Sequence, residues 1–208
     1  MEKKSILLIS VFVIVILVLG FFVFRSDTKV VSVGKAYSSS VGNVGGDLSE
    51  YPISFFNKNN FNAVMVVGDN LPSGYLLGPM DVFNTLHGKL YKKDGKTYVV
   101  KIGVGSTKLA SGITNVAAQN LIAFGDPCGN AVVGKFISCS DWSLGSGNAI
   151  IKLFKNGANS ALVVAGSNME DTNMGAKVLA NYEKYALSGS EVCVSGTINS
   201  INVQKGGC

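Results

Sequence analysis

The alternation of apolar and polar residues is clearest between residues 148 and 187. Residues 149–154 and 161–165 are short apolar runs with the length and composition of buried strands, and the Asn156-Gly157 pair between them is typical of a turn. Apolar residues then recur at spacings of three and four, at Met174, Val178, Tyr182 and Tyr185. This spacing predicts a helix with one apolar face against a sheet.

The start of this helix has the pattern of a capping box. The Ser167 hydroxyl is expected to accept a hydrogen bond from the Glu170 amide, while the Glu170 carboxylate reaches back to the serine amide. Asp171 adds a negative charge near the positive end of the helix dipole. The alternative is an anion site at this helix N-terminus. Because Glu170 and Asp171 would both repel an anion, the sequence favours a capped structural helix.

Three apolar runs end in the same way. Residues 61–67, 120–124 and 161–165 are each followed by a glycine and a polar residue. Such strand ends, with helical segments between them, are typical of parallel strands joined by right-handed crossovers. Residues 191–203 alternate and predict a C-terminal edge strand or hairpin. We therefore predict an α/β fold, a Rossmann-like open sheet with mostly parallel strands.

Two other segments of the body have a clear pattern. Residues 90–102 read as two strands joined by an Asp-Gly turn, which predicts a hairpin. Before it, Pro79 can begin a helix that carries Met80, Phe83, His87 and Leu90 at helical spacing. His87 is the single histidine, and no neighbour in the sequence supplies the partner that a general base needs. We therefore interpret His87 as a residue on a helix face.

The N-terminal segment is apolar over residues 6–24, which is long enough to cross a bilayer as a helix. A cleaved signal peptide is the alternative, but no small-residue cleavage site follows. The sequence thus predicts a transmembrane signal anchor at residues 1–25, a Ser/Gly-rich stalk at 26–50 and a folded domain at 51–208. The expected localisation is the cell membrane, with a single span and the C-terminal domain outside.

The four cysteines are Cys128, Cys139, Cys193 and Cys208. An even number without a CxxC motif is typical of disulfides in an oxidising compartment. Of the three pairings, we favour Cys128–Cys139 and Cys193–Cys208, because each closes a short loop. A zinc site with His87 is the alternative, but these spacings match no common zinc module. No metal ligand is therefore nominated.

The net charge of +5 does not indicate nucleic-acid binding. Five of the basic residues lie in or beside the N-terminal apolar segment, and no cluster of lysine, arginine and aromatic residues occurs in the body. The sequence also lacks a phosphate loop and the pattern of a nucleophile with its base. We therefore predict a protein that is not an enzyme, with no catalytic residue, no cofactor and no nucleic-acid partner.

Several phrases taken together resemble the archaeal S-layer protein family. They are FNAVMVVGDN at 61–70, NLIAFGDPCGN at 120–130, GNAIIKLFKNG at 147–157 and ALVVAGSNMEDTNMGAKVLANYEKY at 161–185. The last is similar to the family's Val-Ala-Gly, Glu-Asp-Thr and Val-Leu-Ala-Asn-Tyr elements. The resemblance implies a small relative with an S-layer-type α/β domain and an extracellular structural role.

The sequence thus leads to two functional hypotheses. The first is a structural protein of the archaeal cell envelope, S-layer-like or S-layer-associated. Its partners would be the membrane, through the N-terminal helix, and other envelope proteins or further copies of itself. The alternative is an extracytoplasmic module that binds a small solute at the turns after Val67, Phe124 and Ala165, where parallel strands would converge.

Overall fold

The computed structural model describes residues 45–57, 60–93, 95–103 and 105–208. The predicted anchor, residues 1–25, and the predicted stalk up to residue 44 lie outside the described residues. The strands and helices, in chain order, are β1 (Phe56–Asn57), β2 (Asn60–Phe61), β3 (Ala63–Val67), α1 (Leu77–Leu86), β4 (Leu90–Lys93), β5 (Lys96–Val99), β6 (Thr107–Leu109), β7 (Asn120–Phe124), β8 (Asn148–Asn156), β9 (Asn159–Gly166), α2 (Met169–Ala180), α3 (Tyr182–Tyr185), β10 (Glu191–Thr197) and β11 (Ser200–Lys205).

The main sheet has seven strands in the order β11-β10-β8-β9-β7-β3-β6. Strands β6, β3, β7 and β9 pair in parallel. Strands β8, β10 and β11 extend the sheet by antiparallel pairing, beginning at β9. The sheet is therefore mixed, and the predicted Rossmann-like sheet of mostly parallel strands is wrong.

The turn between β8 and β9 explains the error. Asn156 pairs with Asn159, so only two residues connect the strands, and Gly157 has a φ of 64°. A two-residue loop joins antiparallel neighbours, whereas a parallel pair needs a crossover of a dozen or more residues. The Asn156-Gly157 turn is thus a hairpin turn, and it reverses the chain inside the sheet.

The two faces of the sheet are covered differently. On one face, α1 and α2 place Val82, Met174 and Val178 over strand residues such as Phe124. On the other face, Val133, Phe136 and other residues of short 3-10 turns and irregular chain pack over the strands. Strands buried on both sides have continuous apolar sequences, as β7 does. A doubly wound fold would carry helices on both faces, which is a second difference from the prediction.

Helix α1 presents a different face from the one predicted. Pro79, Val82 and Leu86 are buried, whereas Met80 is 56% exposed. His87 is the C-terminal cap residue. The helix is positioned by Gly78, where an added Cβ would lie 2.9 Å from the Ala176 side chain of α2. This close approach of two helices turns Met80 outward.

Residues 45–50, which the sequence assigned to the stalk, pack against the domain. The Leu48 side chain is buried, and its amide donates to the Gly189 carbonyl. The Asp47 carboxylate accepts hydrogen bonds from the amides of Ser49 and Gly189, which lower the pKa of that carboxyl. This part of the predicted stalk therefore belongs to the domain.

Among the described residues, no helix has the length and apolar composition that a membrane span requires. The longest, α2, has 12 residues, and a span needs about 20. This finding stands against the predicted single-pass membrane localisation.

Candidate functional site

The carboxyl ends of β3, β7 and β9 are the place where a solute site was predicted. The first of these ends is closed by Asp69. Its carboxylate accepts hydrogen bonds from the Ser111 amide, at 2.9 Å, and from the Ser111 hydroxyl. The hydrogen bonds from Ser111 lower the pKa of the Asp69 carboxyl. Asp69 therefore ties the end of β3 to the chain that follows β6.

The end of β7 is closed by Asp126 and Asn130. One carboxylate oxygen of Asp126 accepts from the amides of Cys128, at 2.9 Å, and Gly129, at 2.8 Å. The Asn130 side chain is fully buried and its amide donates to the carbonyls of Phe124, at 2.9 Å, and Val66, at 3.4 Å. Asn130 thus holds the turn after β7 against two strands at once.

The same asparagine also organises its own turn. Its Oδ1 accepts hydrogen bonds from the amides of Val132, at 2.9 Å, and Val133, at 3.4 Å. Both ends of the side-chain amide are therefore used, which a buried polar group requires. Sequence reasoning did not nominate Asn130. The available signal was a lone asparagine between the Pro127-Cys128 turn and an apolar segment.

Little space is left at these strand ends. An added Cβ on Gly68 would lie 2.1 Å from the Gly129 carbonyl oxygen, and one on Gly129 would lie 2.4 Å from the Leu71 side chain. The cavity beside the end of β3 has a volume of about 70 Å³ and is lined by residues such as Leu71 and Tyr75. Ligand pockets usually measure about 300–1,000 Å³. The strand ends are filled by the protein itself.

Both disulfides are present with the expected pairing. Cys128 is bonded to Cys139, 11 residues later, and this bridge closes the turn that Asn130 organises. Cys193 of β10 is bonded to Cys208, 15 residues later. All four cysteines are used in these bridges. Disulfides of this kind are compatible with an extracellular protein.

The cap of α2 differs from the prediction by one residue. The N-cap is Asn168, whose Oδ1 accepts the Asp171 amide at 2.9 Å, so the predicted box of Ser167 and Glu170 is wrong. The sequence allows both frames, because Asn168 and Asp171 have the same spacing as Ser167 and Glu170. Gly166 packs closely on Thr172, whose hydroxyl accepts a hydrogen bond from the Gly166 amide at 3.0 Å. This packing places the N-cap at Asn168 instead of Ser167.

Asp171 is the acid that this helix start uses. Its carboxylate accepts hydrogen bonds from the Ser167 hydroxyl, the Asn168 side chain and the Gly147 amide. Ser167 therefore supports the cap indirectly, and Glu170 is exposed at the surface. The positive end of the helix is occupied by the chain's own carboxylate, as expected for a capped structural helix.

A larger depression, which we call the acidic groove, lies between the N-terminal ends of α1 and α2 and the β10–β11 turn. Its volume is about 780 Å³. Leu77 and Ile198 line it and are 54% and 44% exposed. Its ionisable lining residues are Asp81, Glu170, Asp171 and Lys177. The lining therefore has three carboxylates and one ammonium group, and the Lys177 amine donates to the Ile198 carbonyl at 3.1 Å.

An aromatic cluster occupies the opposite end of the helices. The hydroxyls of Tyr91 and Tyr182 are hydrogen-bonded, and the Tyr182 ring packs edge-on against Tyr51. Burial raises the pKa of all three phenols. Glu183 accepts from Tyr182 at 3.0 Å and pairs with Lys89 at 2.8 Å, and the bond from Lys89 lowers the pKa of the Glu183 carboxyl. These tyrosines stay neutral and anchor β4 to the end of α2.

His87 has a structural contact as well. Its Nδ1 accepts the Ile102 amide at 3.2 Å, and its ring stacks on Phe83 with centroids 5.1 Å apart. Across the described part of the chain, no three side chains of histidine, cysteine, aspartate or glutamate are grouped as a metal site would need.

No protein-family model matches the chain, and no curated protein is significantly similar to it.

Proposed function

We propose that this chain is a structural protein of the archaeal cell envelope, S-layer-like or S-layer-associated, which acts outside the cell through protein contacts and catalyses no reaction. The observation that carries this proposal is the closure of the strand ends. Four side chains at these ends have their hydrogen-bonding groups occupied by neighbouring backbone or side chains. They are Asp69, Asp126, Asn130 and Asp171. In α/β proteins this edge is the usual place for substrates.

Two further points support the proposal. The disulfides Cys128–Cys139 and Cys193–Cys208 suit an oxidising compartment. The resemblance of residues 61–70, 120–130 and 161–185 to S-layer proteins gives the archaeal envelope as the setting. The partners would be other envelope proteins or further copies of this chain, and not nucleic acid.

Surface labelling of cells tests this function directly. Antibody raised against the protein should label intact, unpermeabilised cells and isolated envelopes in immunogold electron microscopy. In the same preparations, alkylation without reductant should leave all four cysteines unmodified. Labelling that requires permeabilisation, together with four alkylated thiols, would overturn the proposal.

The second candidate function, binding of a small solute, finds its support in the acidic groove. Its volume of about 780 Å³ lies within the range of ligand pockets. A cationic solute would suit its carboxylates. Thermal unfolding of the protein with a panel of amines, amino acids and short peptides tests this candidate, since a bound solute raises the melting temperature. An unchanged melting temperature with every solute would exclude binding of the solutes in the panel.

A further inference from the structure

The acidic groove has a counterpart elsewhere on the molecule. Strands β4 and β5 form a separate two-stranded sheet, which we call the lysine hairpin. Lys92 is exposed on it. Leu90 and Val99, which are cross-strand partners, are 65% and 40% exposed. The hairpin therefore offers apolar side chains beside a cation, and the groove offers apolar side chains beside carboxylates.

One face of the hairpin is fixed and the other is free. Side chains alternate along a strand, so Tyr91 and Tyr98 share one face and Leu90, Lys92 and Val99 share the other. The tyrosine face packs against Phe56, and Tyr91 is bonded to Tyr182. The free face is thus presented outward by a hairpin whose base is anchored.

The hairpin and the groove lie at opposite ends of the helix pair. Leu77 and Asp81 of α1 line the groove, whereas the hairpin follows the C-terminal end of α1. In α2, Glu170 lies at the groove, and Tyr182, just beyond the helix, holds the hairpin. Ten residues of α1 span about 15 Å. A hairpin that is anchored at one end cannot reach the groove of its own copy.

We infer that the lysine hairpin of one copy docks in the acidic groove of a second copy. Leu90 and Val99 would meet Leu77 and Ile198. Lys92 would meet Asp81 and Glu170, whose carboxylates have no ion pair among the described residues. The contact joins two different surfaces, so it is heterologous and can repeat from copy to copy. This inference rests on the proposed envelope function, for which it names the partner and the surfaces.

Two charge-reversal variants of the full chain test the docking. The hairpin variant is Lys92→Glu, and the groove variant is Asp81→Lys/Glu170→Lys. Because like charges then face each other, each variant alone should self-associate at least about tenfold more weakly than the wild type. Sedimentation velocity across a concentration series measures this association, and circular dichroism checks that each variant is folded.

Matched controls carry the same charge changes at exposed positions elsewhere. They are Lys155→Glu for the hairpin variant and Glu50→Lys/Asp141→Lys for the groove variant. Both controls should associate like the wild type. Added salt should weaken the wild-type association, because it screens exposed charges.

Mixing the two variants gives the sharpest readout. The groove variant keeps an intact hairpin and the hairpin variant keeps an intact groove. Because the two reversed surfaces are again opposite in charge, the mixture should regain the association that each variant alone has lost. A monomeric wild type, variants that associate like the wild type through another segment, or a mixture that associates as weakly as each variant alone would each overturn the docking. None of those outcomes decides the envelope function, because the labelling experiment tests that function independently.

Discussion

In the parallel half of the sheet, formed by β6, β3, β7 and β9, the neutral amide of Asn130 bridges the ends of β3 and β7. In the antiparallel half, Lys152 of β8 and Glu191 of β10 form an ion pair at 2.6 Å. The two side chains are only 7% and 12% exposed. Asn130 makes four hydrogen bonds to backbone groups, whereas the ion pair depends on one partner of opposite charge.

Because of this difference, the two halves should lose different amounts of stability when one polar side chain is removed. Removing Asn130 exposes uncharged backbone groups to an apolar environment, and water can partly replace it. Removing Glu191 leaves an ammonium group that is buried without its partner, which is costlier. The antiparallel half should therefore be the more sensitive of the two to loss of a single polar side chain.

The largest effect is expected for Glu191→Ala. The Lys152 ammonium would stay buried without its carboxylate, and the free energy of unfolding should fall by about 3–5 kcal/mol. Urea denaturation measures the loss. The double variant Lys152→Met/Glu191→Met should recover most of it, since it removes the buried charge as well. A single variant that loses less than about 1 kcal/mol would show that the pair is hydrated.

Opening the disulfide of the parallel half comes next. For Cys128→Ala/Cys139→Ala, the loop of 11 residues gives a loss of about 3 kcal/mol by loop-closure entropy. The matched variant Cys193→Ala/Cys208→Ala opens a loop of 15 residues and should lose a similar amount. Hydrogen exchange separates them: the first should expose amides at the ends of β3 and β7, and the second those of β10 and β11. The same protection pattern in both variants would contradict this local assignment.

Asn130→Ala should destabilise the protein by about 2 kcal/mol, because buried carbonyls and amides lose their partner. Asn159→Ala is the control, since its side chain makes one exposed hydrogen bond to the Ala117 carbonyl. That control should change the free energy of unfolding by less than about 0.5 kcal/mol. Thermal and urea unfolding give both values. Equal losses of unfolding free energy in the two variants would mean that the hydrogen bonds of Asn130 do not hold β3 and β7 together.

The smallest effect concerns the cap of α2. Asn168→Ala should cost about 1 kcal/mol, the usual value for an N-cap. Glu170→Ala should change the stability by less than about 0.5 kcal/mol, because its side chain is exposed. A larger loss of stability for Glu170→Ala than for Asn168→Ala in urea unfolding would instead support the capping box of Ser167 and Glu170.

The sequence located the strands well, because continuous apolar runs such as those of β7 and β9 have few alternatives. It located β6 poorly. Thr107–Leu109 is an exposed edge strand of three residues, so it lacks the apolar pattern that marks a strand. The pairing of β8 with β9 could have been predicted, since the Asn156-Gly157 turn indicates a hairpin.

The polar residues were harder to predict for a physical reason. Asn130 and Asn168 act through backbone groups that only the folded chain brings near them. Their chemistry is common to many turns, so their spacing is not diagnostic. The cysteines were easier, because short loops limit the pairings of Cys128 and Cys193. The acidic groove collects residues from α1, α2 and the β10–β11 turn, and no local pattern could indicate it.

The bridge from Cys208 to Cys193 has a mechanical consequence. Strand β11 is the edge of the sheet, and its bonds to β10 could be opened one after another by tension on the chain beyond it. The bridge carries that tension past β11 and delivers it to β10, which is bonded on both sides. A pull at Cys208 therefore acts on β10 directly and bypasses the pairing of β11.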